Sequence, residues 1–413
     1  MKELSLYIHV PFCKSKCNYC NFYSIPLTKL KKTYNSNLAE LYPGFLIKEI
    51  GINTEKYHLE NASINTIYFG GGTPSVMTVD FFKSLMEFIG KNFKIAADAE
   101  ITAEVNPESC DLEKLYCLKA LGFNRLSIGV QSFDGGVLKT AGRIHNKNDI
   151  YRTVSNAKKA GFANISLDLI IGLPGQTKEI FLDDINNITD IAPQHISAYM
   201  LSIEEGSLFY KIYNDKDKKC FPANKSPEFI GEEKIADYYI ILCEILNGQF
   251  YEHYEISNFA KNGYRSRHNI NYWNRGKYLG LGPSASSFFK LEDGKEIRKT
   301  NIPDLERYIQ NISKDNYNYE EKNCPIKKRN SIRNKNGGDF VEILTENDKI
   351  NEEIFLSLRT SSGINEKRLR ELAGVEIIDK LIKEGLMENF KGNISLTLKG
   401  MLLSSEIFAR IMI

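Results

Sequence analysis

The sequence predicts an α/β fold: an open, partial six-stranded (β/α)6 barrel followed by a smaller C-terminal α+β domain that is winged-helix-like. Three observations carry that prediction. Strand and helix patterns alternate through the first half, which implies right-handed crossovers and a parallel sheet. The alternation stops after about Ser202. From Glu346 onward the pattern becomes helices followed by two short strands.

Taken in order, the strands are expected at Leu4 to His9, Asn65 to Phe69, Glu100 to Glu104, Arg125 to Gly129, Ile165 to Ile170 and His195 to Leu201. Helices are expected at Thr78 to Ile89, Leu112 to Leu121, Asp149 to Ala160, Lys178 to Ile188 and Glu232 to Leu246. A Gly-, Asn- and Tyr-rich stretch runs from Tyr251 to Phe289. Further helices are expected at Asp348 to Arg359, Glu366 to Leu372 and Ile377 to Glu384, then strands near Leu386 to Phe390 and Ile394 to Leu398, then a final helix. The expected domains are 1–245 (barrel), 246–312 (connecting region), 313–345 (flexible basic loop) and 346–413 (C-terminal domain).

At 413 residues, with 42% hydrophobic and 26% charged residues and a formal net charge of +2, composition is that of an ordinary globular chain. No run suits a signal peptide and no segment approaches a membrane span. A cytoplasmic, reducing location is expected, because the eight cysteines lack a secretory context. Core packing is the default for Cys117 and Cys243. Between Lys322 and Gly338 there are six basic residues and no acidic one. A solvated loop is the expectation there, with nucleic-acid binding the sharper and disfavoured reading.

The chemistry concentrates in Cys13, Cys17 and Cys20, spaced C-x3-C-x2-C. A loop of this size can place three thiolates around an iron–sulfur cube and leave one iron open to a small molecule. A zinc knuckle or a chance cluster of thiols are the alternatives; zinc usually needs a fourth nearby ligand, and only His9 is close. Gly70-Gly71-Gly72-Thr73-Pro74 follows the second strand, where glycines let the backbone approach a ligand and present N–H groups. Glu104 ends strand three, Gln131 follows strand four, Arg143 lies shortly after, Asp168 lies on strand five and Ser202 closes strand six. Polar groups at one barrel mouth are costly unless paired or ligand-bound. Glu104 and Asp168 suit hydrogen bonds from ribose hydroxyls or an ammonium group.

The runs Tyr7 to Cys13, Gly70 to Pro74, Gly129 to Phe133 and Gly172 to Thr177 resemble the oxygen-independent coproporphyrinogen dehydrogenase group of radical S-adenosylmethionine (SAM) proteins. The likeness covers nearly the whole chain and implies a radical SAM barrel. It implies a [4Fe-4S] cluster on the three cysteines, SAM on its open iron, and an electron donor for the cluster. It matches Tyr7, Gly71, Glu104 and Ser202 to positions around that SAM. Tyr19, Gly72, Thr73, Gln131, Arg143 and Asp168 match positions that contact a second SAM in the dehydrogenase. Thr73, where many radical SAM proteins have Glu, is typical of the porphyrin-related branch.

That group contains decarboxylating dehydrogenases and HemW-type heme chaperones. The dehydrogenase branch has an extra cysteine two residues after the third ligand, where this chain has Phe22. It also has a longer segment before its cysteines, whereas six residues precede Tyr7 here. Both departures imply the chaperone branch. So do His253 to Ala260 and the H-N-x-x-Y-W motif from His268 to Trp273, which the resemblance associates with heme. A neutral imidazole from His268 can ligate heme iron, and Tyr272 and Trp273 can stack on the porphyrin. Read from the residues alone, the motif is rather a structural cluster in which His268 caps a turn and the aromatics pack. The expected function is heme binding and transfer to a recipient hemoprotein, without coproporphyrinogen dehydrogenase activity. The alternative is that dehydrogenase activity itself. Expected partners are heme and the recipient, with no nucleic acid, no transmembrane segment and peripheral membrane association left open.

Overall fold

The structure is a computed structural model and describes residues 3–33, 38–214, 229–313 and 339–412. The basic run Lys322 to Gly338, Cys220 and Cys324 lie outside the described residues. The chain divides into two compact units: Met1–Gly129, Gly142–Ala163 and Lys277–Ile343 form the first; Val130–Ala141, Asn164–Gly276 and Leu344–Ile413 form the second.

The six expected strands are present as β1 Glu3–Val10, β2 Ser63–Gly71, β3 Lys94–Val105, β4 Arg125–Gln131, β5 Asn164–Ile171 and β6 His195–Met200. In the first unit, β1 pairs in parallel with β2, β2 with β3 and β3 with β4. β1 is buried along almost its whole length, as both faces of a covered parallel strand should be. Helix Val79–Asn92 turns Phe81, Phe82, Leu85, Met86 and Ile89 inward, one face at helical spacing. Thr78 caps its start, accepting from Phe81 N at 3.4 Å. Phe69 of β2 meets Phe82 and Phe123 at ring-centroid distances of 5.4 and 5.2 Å.

On the other side of β1 lies a feature the alternating pattern did not signal. Tyr278–Leu281 pairs with β1 in parallel. Ser286–Lys290, Glu296–Thr300 and Phe340–Ile343 then extend the sheet antiparallel. These strands have four or five residues each, too short for a periodic signal. The helix Leu38–Tyr57 was also unforeseen, and carries Pro43 within it.

In the second unit β5 pairs in parallel with β6, and Asn258–Ala260 and Glu252–Glu255 follow antiparallel. The C-terminal part has helices Glu346–Leu358, Glu366–Ala373 and Val375–Lys383, then the hairpin Met387–Phe390 and Asn393–Leu396. Ile364–Asn365 adds a third short strand. Ile354, Leu358, Leu369, Ile378, Leu381 and Ile394 form its core. Cys243 is buried as expected, but Cys117 is only half-buried, because helix Leu112–Ala120 turns Leu115 and Leu118 inward instead.

Candidate functional site

The cysteine loop leaves β1 at Val10 and is fastened at once to the glycine run that ends β2. Gly72 N donates to Val10 O, and Thr73 N to Phe12 O, each at 2.8 Å. Each glycine has its own reason to lack a Cβ. At Gly70 it would sit 2.8 Å from Glu104 Oε1, and at Gly72 it would sit 2.7 Å from Val10 O. Gly71 holds φ +107°, and a Cβ there would run into the His9 ring. His9 is buried, with Nε2 2.9 Å from Tyr23 O and Nδ1 3.1 Å from the Tyr7 hydroxyl. Burial pulls its imidazole down to about 4, so it is neutral near pH 7.

Glu104 accepts from the Tyr68 hydroxyl at 2.9 Å and from Gly71 N at 3.2 Å. Burial, helped by that carboxylate, pushes the Tyr7 hydroxyl far up, so Tyr7 stays protonated. Arg143 points a guanidinium at the cysteines: Nη1 donates to Cys17 Sγ at 3.4 Å. Its Nη2 donates to Asn106 Oδ1 at 2.8 Å and Gly129 O at 2.7 Å. Asn106 in turn donates to Thr73 Oγ1 at 3.1 Å. Burial pushes the Tyr19 hydroxyl up against the opposing charge of Arg143. One polar network therefore joins Thr73, Asn106, Arg143 and Cys17.

Cys13, Cys17 and Cys20 are all free thiols. Burial pushes Cys13 up and Cys20 up to about 11, and negative charge on neighbouring thiols adds to both shifts. Any metal they take must therefore displace protons. Among the described residues no three ligating side chains stand together at the spacing of a single ion. Three free, mutually sensitive thiols on one loop, beside a fixed cation, suit a cluster with one iron per cysteine.

In the second unit Gln131 takes the left-handed region at φ +67°. The segment after it is held by Asp184, which accepts from Phe133 N at 2.6 Å, Ser132 Oγ at 2.9 Å and Gln176 Nε2 at 3.1 Å. Burial pushes Asp184 up to about 6 against those hydrogen bonds. Gln176 also accepts from Gly172 N at 2.7 Å, shaping the Gly172-to-Thr177 turn. Asp168 accepts from Ser166 Oγ at 3.3 Å, and Ser202 donates to Glu204 at 2.6 Å just beyond β6.

His268 lies on helix Arg267–Trp273, 1% exposed, with Nε2 2.8 Å from the Tyr272 hydroxyl. The guanidinium of Arg359 covers the Trp273 ring at 4.6 Å and reaches Glu255 at 2.9 Å.

Sequence reasoning weighed His9 only as a zinc ligand and did not single out Tyr68, Asn106, Asp184 or Arg359. Asn106 was within reach, since it stands two residues after Glu104. The others act across sequence separations that no local pattern records.

The family model described as "Radical SAM superfamily" matches residues 7–188. The chain is 34% identical over 412 residues to the protein named heme chaperone HemW of Bacillus subtilis (strain 168), covering 98% of each. The protein of that name from Lactococcus lactis is 31% identical over 421 residues, covering 100% of this chain and 98% of the other. The Escherichia coli one is 34% identical over 300 residues, 73% of this chain and 74% of that protein. Among solved structures, "Coproporphyrinogen III oxidase (HemN) from Escherichia coli is a Radical SAM enzyme" matches with a TM-score of 0.76 and 24% identity, over 100% of this chain and 90% of that one. That likeness shows the fold. The family match, together with the cysteine loop, defines the class: the chain carries a radical SAM domain over residues 7–188, and such a domain implies a [4Fe-4S] cluster and SAM. Within that class the chain belongs to the family of the proteins named heme chaperone HemW.

Proposed function

We propose that this chain binds heme and passes it to recipient hemoproteins. The reading is carried by one observation: identity to the named heme chaperones of 34% across 98% of both chains. Phe22 supports it, standing 68% exposed in the cysteine loop where the dehydrogenase branch has a further cysteine.

In this reading Cys13, Cys17 and Cys20 hold the cluster. When bound, the cluster supplies electrons and an open iron for SAM. The chain's own residues set the surroundings. Arg143 places positive charge beside the sulfurs, which favours thiolate over thiol. Neutral His9 and protonated Tyr7 fill the space behind Gly71 without adding charge. Glu104 offers carboxylate oxygens to SAM donors, as Asp168 does on the second unit. Tyr19, Gly72, Thr73, Gln131 and Ser202 keep the SAM-contact roles that the resemblance gives them.

The heme ligand in this reading is His268. Its Nε2 lies 2.8 Å from the Tyr272 hydroxyl, so iron and hydroxyl compete for the same nitrogen. Such competition weakens heme binding, which suits a protein that must release its cargo. Trp273 keeps for heme only the face that Arg359 does not cover. The protein is proposed to work in the cytoplasm; among the described residues no helix is long and apolar enough to cross a membrane.

The test is a heme titration of cluster-loaded protein, paired with anaerobic incubation with SAM, reductant and coproporphyrinogen III. About one heme bound, without protoporphyrinogen formed, is expected. Robust decarboxylation or no heme binding would overturn the reading.

A further inference from the structure

His195 is a fully buried polar side chain that no role above uses. Its Nδ1 lies 2.8 Å from Ser166 Oγ, and its Nε2 lies 2.8 Å from the Tyr254 hydroxyl. Ser166 also reaches Asp168 Oδ1 at 3.3 Å. Beyond the imidazole, the Tyr254 hydroxyl accepts from Ser266 N at 3.2 Å. Ser266 is the N-cap of helix Arg267–Trp273, accepting from Asn269 N at 3.4 Å. An unbroken hydrogen-bonded path therefore runs from Asp168 to the cap of the helix that carries His268. Every residue in it belongs to the second unit.

We propose that Ser166, His195 and Tyr254 are positioning residues that couple ligand contact at Asp168 to the His268 helix. The inference rests on the function proposed above, which gives SAM to Asp168 and heme to His268. Ser166 carries one hydroxyl proton and faces Asp168 and His195 Nδ1, with Ser197 Oγ more distant at 3.5 Å. When it donates to Asp168, His195 must donate from Nδ1 to Ser166, and its bare Nε2 accepts from the Tyr254 hydroxyl. The tyrosine oxygen then receives the Ser266 N–H. When a SAM hydroxyl or ammonium satisfies Asp168, the Ser166 proton turns to Nδ1 and the imidazole proton sits on Nε2. Tyr254 then receives an N–H from the imidazole, its own proton swings away, and its tie to Ser266 weakens. The two arrangements hold equal numbers of protons: one leaves Nδ1 and one reaches Nε2 by exchange with water. Two discrete arrangements that both ends can bias are what energetic coupling requires.

The test uses the full chain with its cluster loaded and oxidised, titrated with heme in the presence and absence of SAM. In the unsubstituted protein, SAM is expected to change heme affinity by roughly fivefold or more. In Tyr254→Phe, which removes only the hydroxyl, each ligand alone should still bind within roughly threefold of normal, and SAM should no longer change heme affinity. A merely structural Tyr254 would lower both affinities and leave their ratio intact. As a second measurement, imidazole 15N shifts should show the His195 proton moving from Nδ1 to Nε2 when SAM is added, with the signal assigned by its loss in His195→Gln. If both ligands bind normally and SAM leaves heme affinity unchanged, the coupling is wrong and the proposed function stands. Retention of the full SAM effect in Tyr254→Phe, or an unmoved His195 proton, also overturns it. Absence of heme binding overturns both.

Discussion

The cysteine loop of the first unit and the His268 helix of the second are held in opposite ways. The cysteine loop is fastened through its backbone. Gly72 and Thr73 donate to Val10 and Phe12, and bare glycines let β2 press against His9 and the loop. No disulfide ties its thiols, and Cys17 takes a hydrogen bond from Arg143. The His268 helix is fastened through its side chains. His268 is tied to Tyr272, and Trp273 lies under Arg359. A loop fixed by its backbone can turn its side chains to a permanent cofactor without releasing the contacts that hold the loop. A motif fixed by its side chains must give up a contact each time it takes a ligand, which favours transient binding.

The largest effect that can break this contrast is on the cluster. Replacing Cys13, Cys17 and Cys20 with Ala should abolish iron–sulfur absorbance after anaerobic reconstitution, while the melting temperature of the metal-free protein stays nearly unchanged. Cluster loading in that variant would remove the first half of the comparison. Gly71→Val should come next. It puts a branched side chain at φ +107° and against the His9 ring, costing about 3 kcal/mol or more in denaturant unfolding, together with cluster loading. A neutral outcome would show that the loop does not depend on this backbone approach.

Asp184 tests side-chain fastening in the second unit. Asp184→Ala leaves three donors, from Ser132, Phe133 and Gln176, without their acceptor, and should cost about 3 kcal/mol. The carboxyl is pushed up to about 6 in the fold, against about 3.9 for a free carboxyl. Its protonated form therefore adds stability that is full below the unfolded value and lost as pH rises through about 6. The unsubstituted protein should thus gain stability relative to Asp184→Asn as pH falls from 7 to 5. The opposite slope would show that the hydrogen bonds outweigh burial.

The smallest effect is at the heme motif. Tyr272→Phe removes a hydroxyl that holds Nε2, so it should cost only about 1 kcal/mol of stability and tighten heme binding. His268→Ala should erase the axial-ligand signature in the heme spectrum. Weaker heme binding in Tyr272→Phe would mean that the hydroxyl supports the ligand rather than competing with it.

The sequence by itself determined the six strand–helix units, the helices and hairpin of the C-terminal part, and the cysteine loop, because each is written in local periodicity or spacing. β1, predicted from Leu4 to His9, spans Glu3–Val10, and helix Lys178–Ile191 begins at the predicted residue. It also marked Glu104 at the end of a strand and Arg143 twelve residues after Gln131. Only the tertiary structure decided what those groups touch. Arg143 meets Cys17 from 126 positions away, and Asp184 reaches Phe133 from 51. The strands beyond Tyr278 were invisible for a related reason. Runs of four or five residues carry too few side chains to show a period, and it is their pairing with β1 and with one another that makes them a sheet.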